Sequence, residues 1–300
     1  MSIKQPILIT GSNRSGSTWV GQVLEAHGKV DVIIEPFNLN RIKRYGIINY
    51  DFWYPKVHPE SIEKENLSTL LKYYLTINYK TVFKQFFSPY EGHTMYQSAK
   101  KRLRRASKPI KLLKDPTALF CVPWMVEEFH VKPIILIRHP AAYALSIKEK
   151  NWWFDFDHFL KQPDFFIGNL EPLKREVIAF KKEEDSRSIL DNAALLWKIF
   201  YAQVKEYQEK YPQWFYITHE ELSMNPLQHF KSMCQYLGLE FNESIKRYIA
   251  ASTQAKSNEE FKRDSKKNSE KWKYRLSQDE KESIYAITAS ISNHFYKKWI

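Results

Sequence analysis

Near its start the chain carries residues whose types and spacing suit an anion cradle. Pro6-Ile7-Leu8-Ile9-Thr10 reads as a short buried strand, Gly11-Ser12-Asn13-Arg14-Ser15-Gly16-Ser17-Thr18 as a tight loop, and Trp19 to Leu24 as a helix start. Gly11, Gly16 and Thr18 fit the phosphate-loop pattern G-x-x-x-x-G-K-[ST], with Ser17 in the lysine position. Such a loop aims backbone N–H groups and the positive end of a helix at an anion. Without the lysine it lacks the cation that bridges the outer phosphates of a nucleoside triphosphate. Arg14 and Ser15 offer donors instead. The loop reads as a phosphate cradle unsuited to ATP hydrolysis; the plain alternative is a strand–helix turn.

Three further segments place polar groups at strand ends. Glu35 follows the strand-like run Val30–Ile34, so it projects from the carboxyl end of a strand, the edge where open parallel sheets bind ligands. A carboxylate there can take a proton from a hydroxyl, most effectively where a dry site raises its pKa. Its alternative role is a helix cap or salt bridge. In Ile134-Ile135-Leu136-Ile137-Arg138-His139-Pro140 a buried run ends in an arginine, and Ser146 follows on the next helix. A guanidinium fork grips phosphate bidentately and a serine adds a neutral donor. Ile110-Lys111-Leu112-Leu113-Lys114-Asp115-Pro116 ends at the same edge. Lys114 can neutralise a transferred anionic group there, while Lys111 points to the other face of the strand. For Lys114 the alternative is a surface lysine; His139 is read as structural.

Arg14-Ser15-Gly16-Ser17-Thr18-Trp19 resembles the 5′-phosphosulfate loop of sulfotransferases that use 3′-phosphoadenosine 5′-phosphosulfate (PAPS), and the other segments match that family in order from Ile7 to about Leu276. The resemblance is to bacterial members of carbohydrate and small-molecule type. It implies that Asn13, Arg14, Ser15, Gly16, Ser17, Thr18 and Trp19 bind the donor, and that Arg138 and Ser146 hold its 3′-phosphate. It implies Glu35 as general base, in the Glu-Pro position of carbohydrate-type members where phenol-type members use a histidine, and Lys114 as a catalytic cation in a Lys-Asp-Pro element. Arg263-Asp264-Ser265-Lys266-Lys267, followed by Trp272-Lys273, resembles the loop that folds over the donor. In that likeness Arg263 meets the 3′-phosphate, with Lys266 and Lys267 assisting and Trp272 as anchor. The family's usual Arg-Lys-Gly is not preserved there. Leu196-Trp197 and Tyr216–Leu222 resemble structural landmarks. The implied reaction moves a sulfuryl group to a hydroxyl, or less readily an amine, leaving the product PAP, with no metal.

These residues need a scaffold that brings strand ends together. Strand-like runs at Ile7–Thr10, Val30–Ile34, Ile110–Leu113, Pro133–Ile137 and Trp214–Thr218 alternate with helical patterns at Ser17–His27, Leu67–Phe87, Thr94–Ser107, Thr117–His130, Ala141–Lys150, Ile189–Lys210 and Pro226–Leu237. That alternation predicts an α/β fold: a central parallel sheet of about five strands, P-loop-like, with helices on both faces. Residues 1–300 are read as one domain. Two stretches break the rhythm: the aromatic segment 151–185, read as an acceptor-pocket insertion or as core, and the polar, basic segment 252–275, read as the donor-covering loop.

Composition bounds the partners. The chain has 300 residues, 43% hydrophobic and 15% aromatic, enough for a large core and a deep apolar pocket. Its mean hydropathy is −0.52. Lys and Arg outnumber Asp and Glu by 46 to 34, a net charge of +12 that favours anionic partners. The two cysteines, Cys121 and Cys234, lie far apart and read as buried thiols of a reducing compartment. No run reaches the apolar length of a membrane span and no leader precedes the first strand, so a cytoplasmic enzyme is expected. The expected partner is a small molecule, such as a secondary metabolite, or a glycan, with the basic run Lys100–Arg105 as a solvated face or a docking site for an anionic acceptor. Two rival readings are a phosphate-loop kinase, opposed by Ser17, and a basic nucleic-acid-binding protein, opposed by aromatics that mix with aliphatics as in a core.

Overall fold

The computed structural model describes residues 5–45, 48–57, 63–75, 108–253 and 269–299. Five strand-like runs form five strands: β1 (Ile7–Gly11), β2 (Val30–Ile34), β3 (Ile110–Lys114), β4 (Lys132–Ile137) and β5 (Phe215–Thr218). All pairings are parallel, in the order β2-β3-β1-β4-β5. The sheet is covered on both faces, as parallel sheets require. The strand period of two divides β1 and β4 between two cores. Leu8 and Ile135 join the larger cluster, with the helices Pro140–Lys150 and Ile189–Lys210. Ile7, Ile9, Ile134 and Leu136 join the smaller one, with the helices Ser17–Glu25 and Pro226–Leu237. The expected fold class is therefore the observed one.

The helix Ile189–Lys210 starts at a capping box, in which the Ser188 side chain accepts from Asp191 N–H and Asp191 accepts from the Ser188 backbone. It buries Trp197, Phe200, Tyr201 and Val204 completely. At about 1.5–3 kcal/mol per large side chain, this helix is a major contributor to the larger core.

Several elements differ from the expectation. The stretch read as one helix over Thr117–His130 is a 3₁₀ turn, Pro116–Cys121, followed by a helix, Val122–Phe129. Asp115 caps that turn by accepting from Thr117 N–H, and the tight turn carries the chain off the end of β3. The segment 151–185 is not irregular. It holds short helices at Asp157–Leu160 and Gly168–Leu170 and a regular one at Glu171–Lys182, because Pro172 opens that helix and Leu173, Val177 and Phe180 form a buried stripe. Phe156, Phe159, Phe165 and Phe166 are core, whereas Trp152 and Trp153 are exposed. A helix not expected, Gln278–Phe295, opens on a Ser277–Glu280 capping box and packs on Ile189–Lys210. The expected elements at Thr94–Ser107 and beyond residue 75 of Leu67–Phe87, and the basic run Lys100–Arg105, lie outside the described residues. Among the described residues no helix is long and apolar enough to cross a membrane.

Candidate active site

Each strand delivers polar groups to the carboxyl edge of the sheet. The loop Ser12–Gly16 follows β1, Glu35 follows β2, Lys114 ends β3 with Asp115 next, Arg138 follows β4, and His219 and Glu220 follow β5.

The loop after β1 is shaped by its two glycines. Gly11 has φ +132°, and a Cβ there would sit 2.2 Å from the Leu136 carbonyl oxygen on the neighbouring strand. Gly16 has φ +94°, and a Cβ would meet His219 Nδ1 at 2.6 Å. Only glycine meets both demands. Ser12 Oγ lies 2.8 Å from Tyr201 OH, which accepts the Arg138 N–H at 3.0 Å. Asn13 Oδ1 accepts from Tyr143 OH at 2.9 Å. Arg14 takes a left-handed backbone, donates from Nε to Ser146 Oγ at 2.9 Å, and sets its guanidinium 5.9 Å from the Trp152 ring. Ser15 is buried, with no partner for its hydroxyl. Ser17 and Thr18 open the helix Ser17–Glu25. Trp19 packs edge-on to Phe230 at 5.4 Å and donates from Nε1 to Ser252 Oγ at 3.0 Å.

Arg138 joins this group from β4. A guanidinium nitrogen donates to the Arg14 carbonyl, and Nε is buried without a partner. Trp197 Nε1 donates to the Arg138 carbonyl at 2.7 Å, so the Leu196-Trp197 landmark braces the strand end. Glu220 stands nearby, accepting from His139 N–H at 3.2 Å and from Tyr296 OH at 2.9 Å. Burial raises the Glu220 carboxyl, against the pull of the Arg138 charge. His139 caps the helix Pro140–Lys150 and stacks on Trp272 at 4.3 Å. Burial pushes His139 down to about 3, and His219 likewise to about 3, so both rings are neutral near pH 7.

At the other end of the edge, Lys114 Nζ donates to Glu35 Oε1 at 2.5 Å. The lysine side chain is 6% exposed and the glutamate 29%. Asn38 Nδ2 donates to the other Glu35 oxygen at 3.0 Å. Burial pushes the Glu35 carboxyl up, but the Lys114 hydrogen bond and charge outweigh it and hold the carboxyl below its usual range. Asp115 accepts from Phe37 N–H and from both Thr117 donors, fixing the turn after β2 against the turn after β3. Its burial lifts it to about 6. Lys111 faces the other way and pairs with Asp31 at 2.9 Å.

The structure thus groups Asn13, Arg14, Ser15, Gly16, Arg138 and Ser146, and separately pairs Glu35 with Lys114. Arg263, Lys266 and Lys267 lie outside the described residues. Sequence reasoning did not find the tyrosines Tyr143 and Tyr201 that hold the loop from below. Their helical positions mark them only as core, and no local pattern reports the hydroxyl contacts. The buried, partnerless Ser15 Oγ and Arg138 Nε are donors of the kind that an anion beside this loop would satisfy.

A family model described as a sulfotransferase domain matches residues 4–295. No curated protein matches the sequence. Among solved structures, a sulfotransferase domain from the curacin biosynthetic pathway is 14% identical with a TM-score of 0.50, covering 97% of this chain and 99% of that one. A sulfotransferase domain from the Synechococcus PCC 7002 olefin synthase is 13% identical with a TM-score of 0.52, covering 98% of this chain and 96% of that one. At these identities the structural likeness is one of fold.

Proposed function

Because the chain belongs to the sulfotransferase domain family, we propose that it transfers a sulfuryl group from PAPS to a hydroxyl, or less readily an amine, of a small molecule or glycan. The observation that carries the donor reading is the meeting of Arg14, Arg138 and Ser146 at a phosphate-type loop whose Ser15 and Arg138 donors lack partners. Arg138 and Ser146 hold the 3′-phosphate, and Arg14 with the loop N–H groups holds the 5′ end. Trp19 faces the nucleoside, and Arg263, Lys266 and Lys267 cover it. Residues 1–300 act as one domain, with 151–185 beside the acceptor.

Glu35 takes the proton of the acceptor hydroxyl as its oxygen bonds to sulfur. The bond from sulfur to the 5′-phosphate oxygen breaks in line, and Lys114 and the loop stabilise the charge left on that phosphate. Lys114 serves both ends of this event. At rest it is held by Glu35, which keeps the carboxylate a weak base. An anionic donor competes for the ammonium, and Glu35 recovers basicity when the acceptor is to be deprotonated. The reading requires no metal. The Glu-Pro position resembles that of carbohydrate-type members, where phenol-type members use a histidine, so an aliphatic or sugar hydroxyl is the expected acceptor rather than a phenol.

Calorimetry with PAP and with ATP, each with and without magnesium, tests the reading. Tight, magnesium-independent PAP binding and weak ATP binding are expected. ATP binding that exceeds PAP binding and tightens with magnesium would put a phosphate-loop kinase in its place.

A further inference from the structure

Among the described residues, six other than glycine have positive φ: Arg14, Glu35, Tyr54, His130, Asn151 and Asp164. His130 and Asn151 are left-handed caps of helices, and Asp164 sits in a turn, a conformation aspartate tolerates. Arg14 and Glu35 belong to the site described above. Tyr54 is left, with φ +58° on a bulky aromatic residue, which is uncommon and persists only where the surroundings impose it.

The surroundings do impose it. Gln162 donates from Nε2 to the Tyr54 carbonyl at 3.3 Å and accepts the Lys56 N–H at 3.0 Å. The Pro55 carbonyl accepts from Cys121 Sγ at 2.9 Å, on the 3₁₀ turn that follows Lys114-Asp115. The Tyr54 ring is 4% exposed and lies 4.7 Å from Phe200, which in turn lies 6.5 Å from Tyr143, the residue bonded to Asn13 of the loop. Unlike Tyr143 and Tyr201, Tyr54 has a hydroxyl that bonds to no described residue. Burial, and then the Asp115, Glu35 and Tyr201 groups, push that phenol well above its ordinary range, so it is a hydrogen-bond donor at any working pH.

Resting on the donor reading above, we infer that Tyr54 is a further catalytic residue, whose hydroxyl donates to a sulfuryl oxygen of the donor. The group in transfer must lie between the loop that holds the leaving phosphate and the carboxylate that takes the acceptor proton. Tyr54 is tied to both places, through Phe200 and Tyr143 to the loop and through the Pro55 carbonyl and Cys121 to the turn that follows Lys114-Asp115, with a strained backbone, a held carbonyl and a donor left over. Gln162 is its positioning residue.

The test compares PAPS with PAP, which differ only in the sulfuryl group, by calorimetry on the wild-type protein and on Tyr54→Phe. The phenylalanine keeps the ring packing and removes only the hydroxyl. Loss of one hydrogen bond to an anionic group should weaken PAPS binding about tenfold while leaving PAP binding unchanged. Unchanged PAP binding also reports that the variant is folded. A PAPS-to-PAP affinity ratio that the substitution leaves alone, or equal weakening of both ligands, overturns the inference and leaves the donor reading standing. Wild-type protein that binds neither nucleotide overturns the donor reading and this inference with it.

Discussion

Glu35→Gln separates two jobs of one carboxylate, the ion pair with Lys114 that the structure shows and the proton transfer proposed above. In the resting protein Glu35 neutralises Lys114, whose side chain is 6% exposed, across 2.5 Å. Removing one partner of a buried pair costs about 3–5 kcal/mol. Here the loss is smaller, because glutamine still offers Lys114 a carbonyl oxygen and the Glu35 side chain is 29% exposed. About 2 kcal/mol is expected, which for a chain of this size lowers the melting midpoint by roughly 4 °C. In the proposed arrangement the same change frees an uncompensated ammonium beside the 5′ end of the donor. PAP should therefore bind up to about tenfold more tightly, a gain of about 1.4 kcal/mol, and should restore most of the lost midpoint. Sulfate transfer should meanwhile fall by about a hundredfold or more, the ordinary contribution of a positioned base. Thermal melts with and without PAP, calorimetry and a transfer assay read the three quantities. A variant with wild-type melting and wild-type PAP affinity would refute the idea that Lys114 is shared between Glu35 and the donor, and one that keeps full transfer activity would remove Glu35 as base.

Two further outcomes follow from the geometry. Gly16→Ala places a Cβ 2.6 Å from His219 Nδ1, on a ring with 8% exposure, and forces alanine to φ +94°. The left-handed backbone alone costs about 1–2 kcal/mol, and the clash adds to it. Combined with His219→Ala only the backbone cost remains, so chemical denaturation of the two single variants and the double variant should show less than additive losses; strict additivity contradicts the contact. The second outcome concerns acid. Burial holds His139 and His219 near 3 in the folded state, below the 6.5 of a free histidine, so the unfolded chain binds more protons between those values. Stability is therefore lost as pH falls below 6.5. Asp115, raised to about 6, works in the opposite direction between 6 and its unfolded value. At about 1.4 kcal/mol per pH unit per group, the net loss from pH 6.5 to 5 is about 2–3 kcal/mol. Urea midpoints at the two pH values check it, and an equal or higher midpoint at pH 5 contradicts it.

Much of the scaffold is legible in the chain, because the strands are short, mostly apolar runs ended by glycine, a charge or a helix cap. Ile7–Thr10 and Ile134–Ile137 have no other stable use than a sheet covered on both faces. The placement of the candidate residues at the ends of β1, β3 and β4 is legible for the same reason, since a strand end fixes where the next side chain stands. Other features need the third dimension. Nothing near Glu35 announces that Lys114, far along the chain, will meet it. Tyr54, Tyr143 and Tyr201 look like any buried aromatics until the fold sets their hydroxyls against the loop or leaves one over. The helix Gln278–Phe295 is a different case: its Ser277–Glu280 capping box is written locally, but its apolar positions are sparse among polar ones and carry little amphipathic signal. The aromatic segment 151–185 reads ambiguously because the exposed Trp152 and Trp153 run straight into core phenylalanines, and residue type alone does not separate the two.

The central claim is that Arg138 and Ser146 make a site for the 3′-phosphate of the donor. The direct measurement is the ratio of PAP to AMP affinity, by calorimetry without magnesium, in the wild-type protein and in Arg138→Ala and Ser146→Ala. The account predicts a strong wild-type preference for PAP, abolished by Arg138→Ala and weakened by Ser146→Ala, with AMP binding little changed. A wild-type protein that binds AMP as tightly as PAP, or an Arg138→Ala variant that keeps the preference, would contradict it.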